Sequence, residues 1–287
     1  KWDRYQILQC YMVMGGIPFY LSLIDPRQSL VQNVDRLFFS HGGIMRGEFD
    51  ELYNALFSNA ELYISVVKAL AQHHDGMTRT EISKVIGANG GTLTRVLTNL
   101  ERCDFISRSQ NFGCKTKDTI YRLMDFYTLF YYKFIAQDTS GDEQWWSHNF
   151  ESRLVSTWQG LTFEIVCLMH TDCIKKALGI SGMATEVSSW RKVADDKQRG
   201  GQIDLVIKRA DRIVHLCEMK FSKSEYRITD AYEQLLRQRM ELFQSSTKTK
   251  LSLVITFVTT YGVADGLHHS IVHSEVTMSQ LFIRNVT

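Results

Sequence analysis

Gly200-Gly201-Gln202-Ile203-Asp204-Leu205-Val206-Ile207, followed after a short polar loop by Leu216-Cys217-Glu218-Met219-Lys220, decides how this chain is read. Each half is an apolar run of strand length interrupted by charge. A carboxylate inside such a strand is costly to bury unless it meets a partner or a metal. Glu218 and Lys220 stand two residues apart, so they share one face of their strand. Asp204 joins that face if the two strands pair antiparallel about Asp211, which requires an odd-length loop, Ala210–Arg212 or Arg209–Ile213. A two-residue Ala210-Asp211 turn would instead set Asp204 opposite Cys217 and send Glu218 to the other side. The odd loop is the expectation. It brings two carboxylates beside one ammonium, and hard carboxylate oxygens suit Mg²⁺ or Mn²⁺. Lys220 would orient the attacking water and stabilise developing charge.

Working outward, two flanking patterns differ from this one. Residues 1–60 carry helical stripes: Ile7, Leu8, Tyr11 and Met12; then Leu30, Val34, Leu37 and Phe38 after Asp25-Pro26; then Phe49, Leu52, Leu56 and Phe57. Residues 61–124 predict three helices and a β-hairpin, a winged helix-turn-helix. Thr78 with Glu81 forms a capping box, and Phe105–Arg108 and Thr119–Leu123 form the strands. From about Asp125 the chain reads as α/β, with helices over 158–170 and 230–243 and strands over 202–208, 213–221 and 251–259. Leu235, Leu236, Met240 and Phe243 form the apolar stripe of the second helix.

Composition bounds the function. The chain has 287 residues, 44% hydrophobic and 22% charged, with a formal net charge of +2. That excludes disordered and collagenous classes and leaves room for two or three domains. Six cysteines without a CxxC pair read as reduced thiols in a reducing, cytoplasmic compartment. No apolar run reaches the roughly 20 residues of a membrane helix. A nucleic-acid surface must be local, and Arg199–Lys223 holds six basic residues against three acidic ones.

Asp204…Glu218-x-Lys220 resembles the PD-(D/E)XK nuclease signature, with Ile203-Asp204 in place of Pro-Asp. The likeness extends through Tyr11…Gly15-Gly16-Ile17-Pro18-Phe19-Tyr20-Leu21, the winged helix, Gly160–Glu164, Ile174–Ile180 and Gln202–Phe221. In that order the chain is similar to the C-terminal part of archaeal-type AAA+ ATPases that carry a nuclease-like domain. The resemblance implies a helical lid (1–60), a winged helix-turn-helix (61–124) and a restriction-endonuclease-like mixed sheet flanked by helices (125–287). It also implies Asp204 and Glu218 as metal ligands, Lys220 as catalytic lysine, Glu164 as accessory acid and Gln202 as a substrate-positioning residue. One departure stands out. RecB-type relatives carry Gln-x-x-x-Tyr on the next helix, whereas here Gln234 is followed by Gln238, and Gln238 by Leu242. There is no GxxxxGK[ST] in the sequence, and it opens on Lys1. ATP is therefore expected only through an upstream ATPase core, and DNA, that core and a possible oligomeric copy are the expected partners.

Blander readings stand beside these. Thr92, Arg95, Asn99, Arg108, Lys115 and Lys117 would meet nucleic acid if the winged helix binds DNA, yet many winged helices only bridge domains. His73-His74 and His268-His269 are adjacent pairs whose side chains diverge, which makes them poor joint metal ligands. Cys217 points away from Glu218 and reads as packing, and the aromatic run Phe126–Phe134 as core. Trp145-Trp146 in a polar loop suggests an interface. The rival to a nuclease is a non-catalytic nucleic-acid- or protein-binding module.

Overall fold

The computed structural model describes residues 2–114, 119–194 and 200–282, and its contacts divide the chain into two compact units. The first comprises Lys1–Arg108 and Ile120–Thr162, the second Ser109–Thr119 and Phe163–Thr287. The division falls elsewhere than residues 60 and 124, because the aromatic helix that follows Asp125 packs with the N-terminal helices. The Phe126 ring lies 4.8 Å from Tyr11, Tyr127 5.4 Å from Tyr20 and Phe130 4.7 Å from Phe38. Trp146 closes the same cluster, with Phe130, Phe134 and Trp158 edge-on within 6.0 Å. At 1% exposure it is core rather than the interface its polar flanks suggested.

Local chemistry accounts for the helix boundaries of this unit. The second stripe begins at Ser29, not at Asp25-Pro26, because Ser29 and Gln32 cap each other reciprocally. Thr78 and Glu81 form the expected box at the start of the helix Arg79–Ile86, and Gly87 ends it at φ 68°. The helix Gly90–Arg102 follows. A small sheet, strand order β1-β3-β2, joins β1 (Met77–Thr78), β2 (Ile106–Ser109) and β3 (Ile120–Leu123).

Among the described residues, the second unit is built on a five-stranded mixed sheet of order β4-β5-β6-β7-β8. The strands are β4 (Thr185–Lys192), β5 (Gly201–Arg209), β6 (Ile213–Lys220), β7 (Ser252–Thr259) and β8 (Val272–Thr277). Strands β4, β5 and β6 pair antiparallel, while β6, β7 and β8 pair parallel. A parallel neighbour needs a crossover, and the helix Asp230–Thr247 supplies it between β6 and β7. Its Leu236 and Phe243 are buried, whereas Leu235, expected on the inward stripe, is 44% exposed. Residues 109–112 cover the sheet's outer strand. Asn111 bridges Ser189 in parallel, and its side-chain amide brackets the Arg191 backbone at 3.0 and 3.2 Å. An edge strand capped in this way offers fewer free backbone groups to another chain. Among the described residues, no helix is long and apolar enough to cross a membrane.

Candidate active site

Register decides whether the carboxylates meet. In the β5–β6 ladder Leu205 pairs with Cys217 and Lys208 with Val214. Three residues, Ala210–Arg212, separate the strands, with Arg212 left-handed at φ 73°. This is the odd loop. The paired stretch ends at Leu205 and Cys217, one residue short of Asp204 and Glu218.

Strand β5 then departs from regularity at that position. Ser188 pairs with Val206, but Trp190 pairs with Ile203, so β5 spends three residues where β4 spends two. The extra residue is a bulge around Asp204 and Leu205. It explains why Ile203 and Val206, three apart, both enter the cluster with Trp190, Leu216 and Phe243. Bulges re-aim side chains next to functional sites. Here the bulge coincides with the strand's one acidic residue, and the Gln202 side-chain amide donates to Asp204 Oδ1 at 2.8 Å.

Glu218, with 13% of its side chain exposed, meets three donors. Lys220 Nζ lies 2.9 Å from its Oε1, and Arg239 donates from Nη1 to Oε2 at 2.6 Å. The Tyr232 hydroxyl also donates to Oε1. Burial first, then the Glu218 charge, pushes the Tyr232 phenol far up its scale, so it remains a donor. Lys220 Nζ lies 4.8 Å from the Tyr232 ring centroid and 5.8 Å from that of Tyr226. The ammonium thus lies beside a carboxylate and two aromatic rings.

Glu164 occupies the helix Arg153–Met169, one turn before Cys167. Burial raises the Cys167 thiol well above its ordinary range, and the charge of Glu164 and the nearby Cys217 raise it further. That helix therefore covers the face of β6 bearing Cys217, while Glu218 is bonded by the helix Asp230–Thr247. Cys217 itself is buried at 3% exposure, as packing requires.

Sequence reasoning missed Tyr232 and Arg239. They stand seven residues apart, two turns on one helix face. A signal was present, since Arg239 sits three after Leu236 and four before Phe243, an arginine on the apolar stripe. Arg239 also lines an open groove of about 620 Å³ with Gly200, Gly201, Gln202 and Gln238.

The residues named for nucleic acid divide. Thr92 and Arg95 are exposed on the helix Gly90–Arg102. Asn99 instead donates to the Tyr63 hydroxyl at 2.8 Å, and Arg108 pairs with Glu101 at 2.8 Å. Lys115 and Lys117 lie outside the described residues. His268 and His269 bond separate carboxylates, Glu233 and Glu275.

Among the described residues, no three His, Cys, Asp or Glu side chains gather as a metal-holding group. A hard cation here would rest on Asp204, Glu218 and water. That donor set fits Mg²⁺, which keeps several waters and needs only one or two carboxylates. No family model, curated protein or solved structure matches this chain.

Proposed function

We propose that the second unit is a divalent-cation-dependent phosphodiesterase of the PD-(D/E)XK kind, acting on nucleic acid and first of all on DNA. One observation carries the reading. The β5–β6 ladder pairs Leu205 with Cys217, the chain neighbours of Asp204 and Glu218, while Lys220 Nζ stands 2.9 Å from the Glu218 carboxylate. The strand order supports it: three antiparallel strands, a helical crossover, then a parallel strand, preceded by a helix bearing Glu164.

Asp204 and Glu218 would hold Mg²⁺ or Mn²⁺, which supplies Lewis acidity toward a phosphoryl oxygen. Gln202 fixes the Asp204 carboxylate through its 2.8 Å hydrogen bond. Lys220 orients the incoming water and offsets charge on the phosphorane-like transition state. An accessory role for Glu164 rests on the resemblance alone, since its helix covers the Cys217 face of β6 rather than the face that bears Glu218. In the first unit, the helices Arg79–Ile86 and Gly90–Arg102 with the small sheet make a winged helix, whose Thr92 and Arg95 contact the phosphate backbone. On the resemblance alone, an AAA+ core supplies ATP binding.

The second reading is a non-catalytic nucleic-acid- or protein-binding module. It is favoured by the two cations, Lys220 and Arg239, that already neutralise Glu218. The deciding experiment is cleavage of a DNA and RNA panel in Mg²⁺ and Mn²⁺, with Lys220→Ala alongside. Cleavage abolished by Lys220→Ala supports the nuclease. Cleavage that survives it overturns the assigned mechanism, and none under any condition favours the binding module.

A further inference from the structure

We propose that Arg239 couples cation binding at the carboxylates to phosphate binding in the adjoining groove, an inference that rests on reading Asp204 and Glu218 as a cation pair. Three donors share the Glu218 carboxylate, and they differ in what they could do when a cation arrives. Tyr232 is neutral and adds no repulsion. Lys220, about as exposed as Arg239, stands beside the carboxylate and the rings of Tyr226 and Tyr232 and does not line the groove. Arg239 is charged, with a quarter of its side chain exposed, and borders the groove of about 620 Å³.

A divalent cation at Glu218 and the Arg239 guanidinium compete for the same charge, 2.6 Å from Oε2. Arg239 is the competitor with somewhere to go. Its planar fork carries five N–H donors and matches phosphate oxygens two at a time. The groove beside it is lined by the amides Gln202 and Gln238, the Ser245 hydroxyl and Gly200-Gly201, with Leu235, Leu242 and one carboxylate, Glu241, on its helical side. Released into that space, the guanidinium meets a backbone phosphate next to the carboxylate pair. Because binding linkage is reciprocal, the cation strengthens phosphate binding and phosphate strengthens cation binding through this one side chain.

The test uses the full chain, its Arg239→Gln, Arg239→Lys and Arg237→Gln variants, and two binding readouts. These are Mn²⁺ affinity by electron paramagnetic resonance and affinity for a labelled DNA oligonucleotide with and without Ca²⁺. Arg239→Gln should bind Mn²⁺ about tenfold more tightly, the removal of one competing charge, yet lose the tightening of DNA binding that Ca²⁺ produces. Arg237→Gln removes an exposed guanidinium of the same helix that pairs with Glu233 away from the carboxylate pair, so it should leave both within about threefold. Arg239→Lys keeps the charge and loses the fork, so it should hold Mn²⁺ affinity and weaken DNA binding in Ca²⁺. It carries the test if Arg239→Gln does not fold. Mn²⁺ affinity that is unchanged or weaker in folded Arg239→Gln overturns the coupling and leaves the carboxylate site standing. Wild-type protein that binds no Mn²⁺ overturns both.

Discussion

His215 Nδ1 lies 2.8 Å from the Thr256 hydroxyl, a buried hydrogen bond between two neighbouring parallel strands. Arg209 Nη1 approaches the other ring nitrogen at 3.3 Å. The imidazole is 2% exposed, and burial, then the charges of Arg209 and His273, lower its pKa to about 4. An unfolded histidine titrates near 6.5. Between those values the unfolded chain binds the proton and the folded chain does not. Stability is therefore full above about pH 6.5 and falls as pH drops toward 4, by up to about 3 kcal/mol. Urea unfolding of wild type and His215→Gln across this range checks it. The variant should show a visibly shallower loss on acidification, and parallel curves would refute the assignment.

The hairpin that joins β5 to β6 turns on a residue ill suited to its backbone. Arg212 holds φ 73°, a region that costs a residue with a Cβ about 1–2 kcal/mol and a glycine little. Arg212→Gly should stabilise the protein by up to about 1 kcal/mol once the extra freedom of the unfolded glycine is subtracted. Chemical denaturation measures this. A destabilisation of that size would mean the Arg212 side chain contributes more than its backbone costs.

The odd loop and the shared face of Glu218 and Lys220 were legible because alternation along a strand is a period-two rule that charges in an apolar run make visible. The inner strands β5, β6 and β7 were legible for the same reason. Strands β4 and β8 were not. Thr185–Lys192 contains Glu186, Ser188, Ser189, Arg191 and Lys192, and Val272–Thr277 is short and polar, as sheet margins with one covered side tend to be. The bulge left no mark either, since nothing in Ile203-Asp204-Leu205-Val206 shows that the strand takes an extra step. Tyr232 and Arg239 were hidden by another cause. Their role arises from a tertiary approach of helix to strand, and local spacing records only the apolar stripe beside them.

Asp35 is a second buried carboxylate, and its work is structural. Its oxygens accept the backbone N–H of Trp146 at 2.8 Å, the N–H of Ser147 and the Ser147 hydroxyl, tying residues 112 apart in sequence. Burial raises its pKa while these donors pull it down. Asp35→Ala strands two amide donors in an interior site, at a cost of about 2–4 kcal/mol. A thermal melt should show the loss, and Asp35→Asn should recover part of it because one oxygen acceptor survives. Equal melts for wild type and Asp35→Ala would sink the account.

On the helix Gly90–Arg102, two residues named together from the sequence should part company in experiment. Arg95 is exposed, whereas Asn99 donates to the Tyr63 hydroxyl at 2.8 Å and so anchors the helix to its neighbour. If this helix tracks a phosphate backbone, Arg95→Ala weakens DNA binding for every sequence alike. It also lowers the slope of log affinity against log salt by about 1, with the melting temperature unchanged. Asn99→Ala should do the reverse, costing about 1 kcal/mol of stability and leaving the salt slope alone. Fluorescence anisotropy over a salt series, paired with a thermal melt of each variant, separates the two. An Arg95→Ala slope equal to wild type would move the nucleic-acid contact off this helix and leave it a bridge within its own unit.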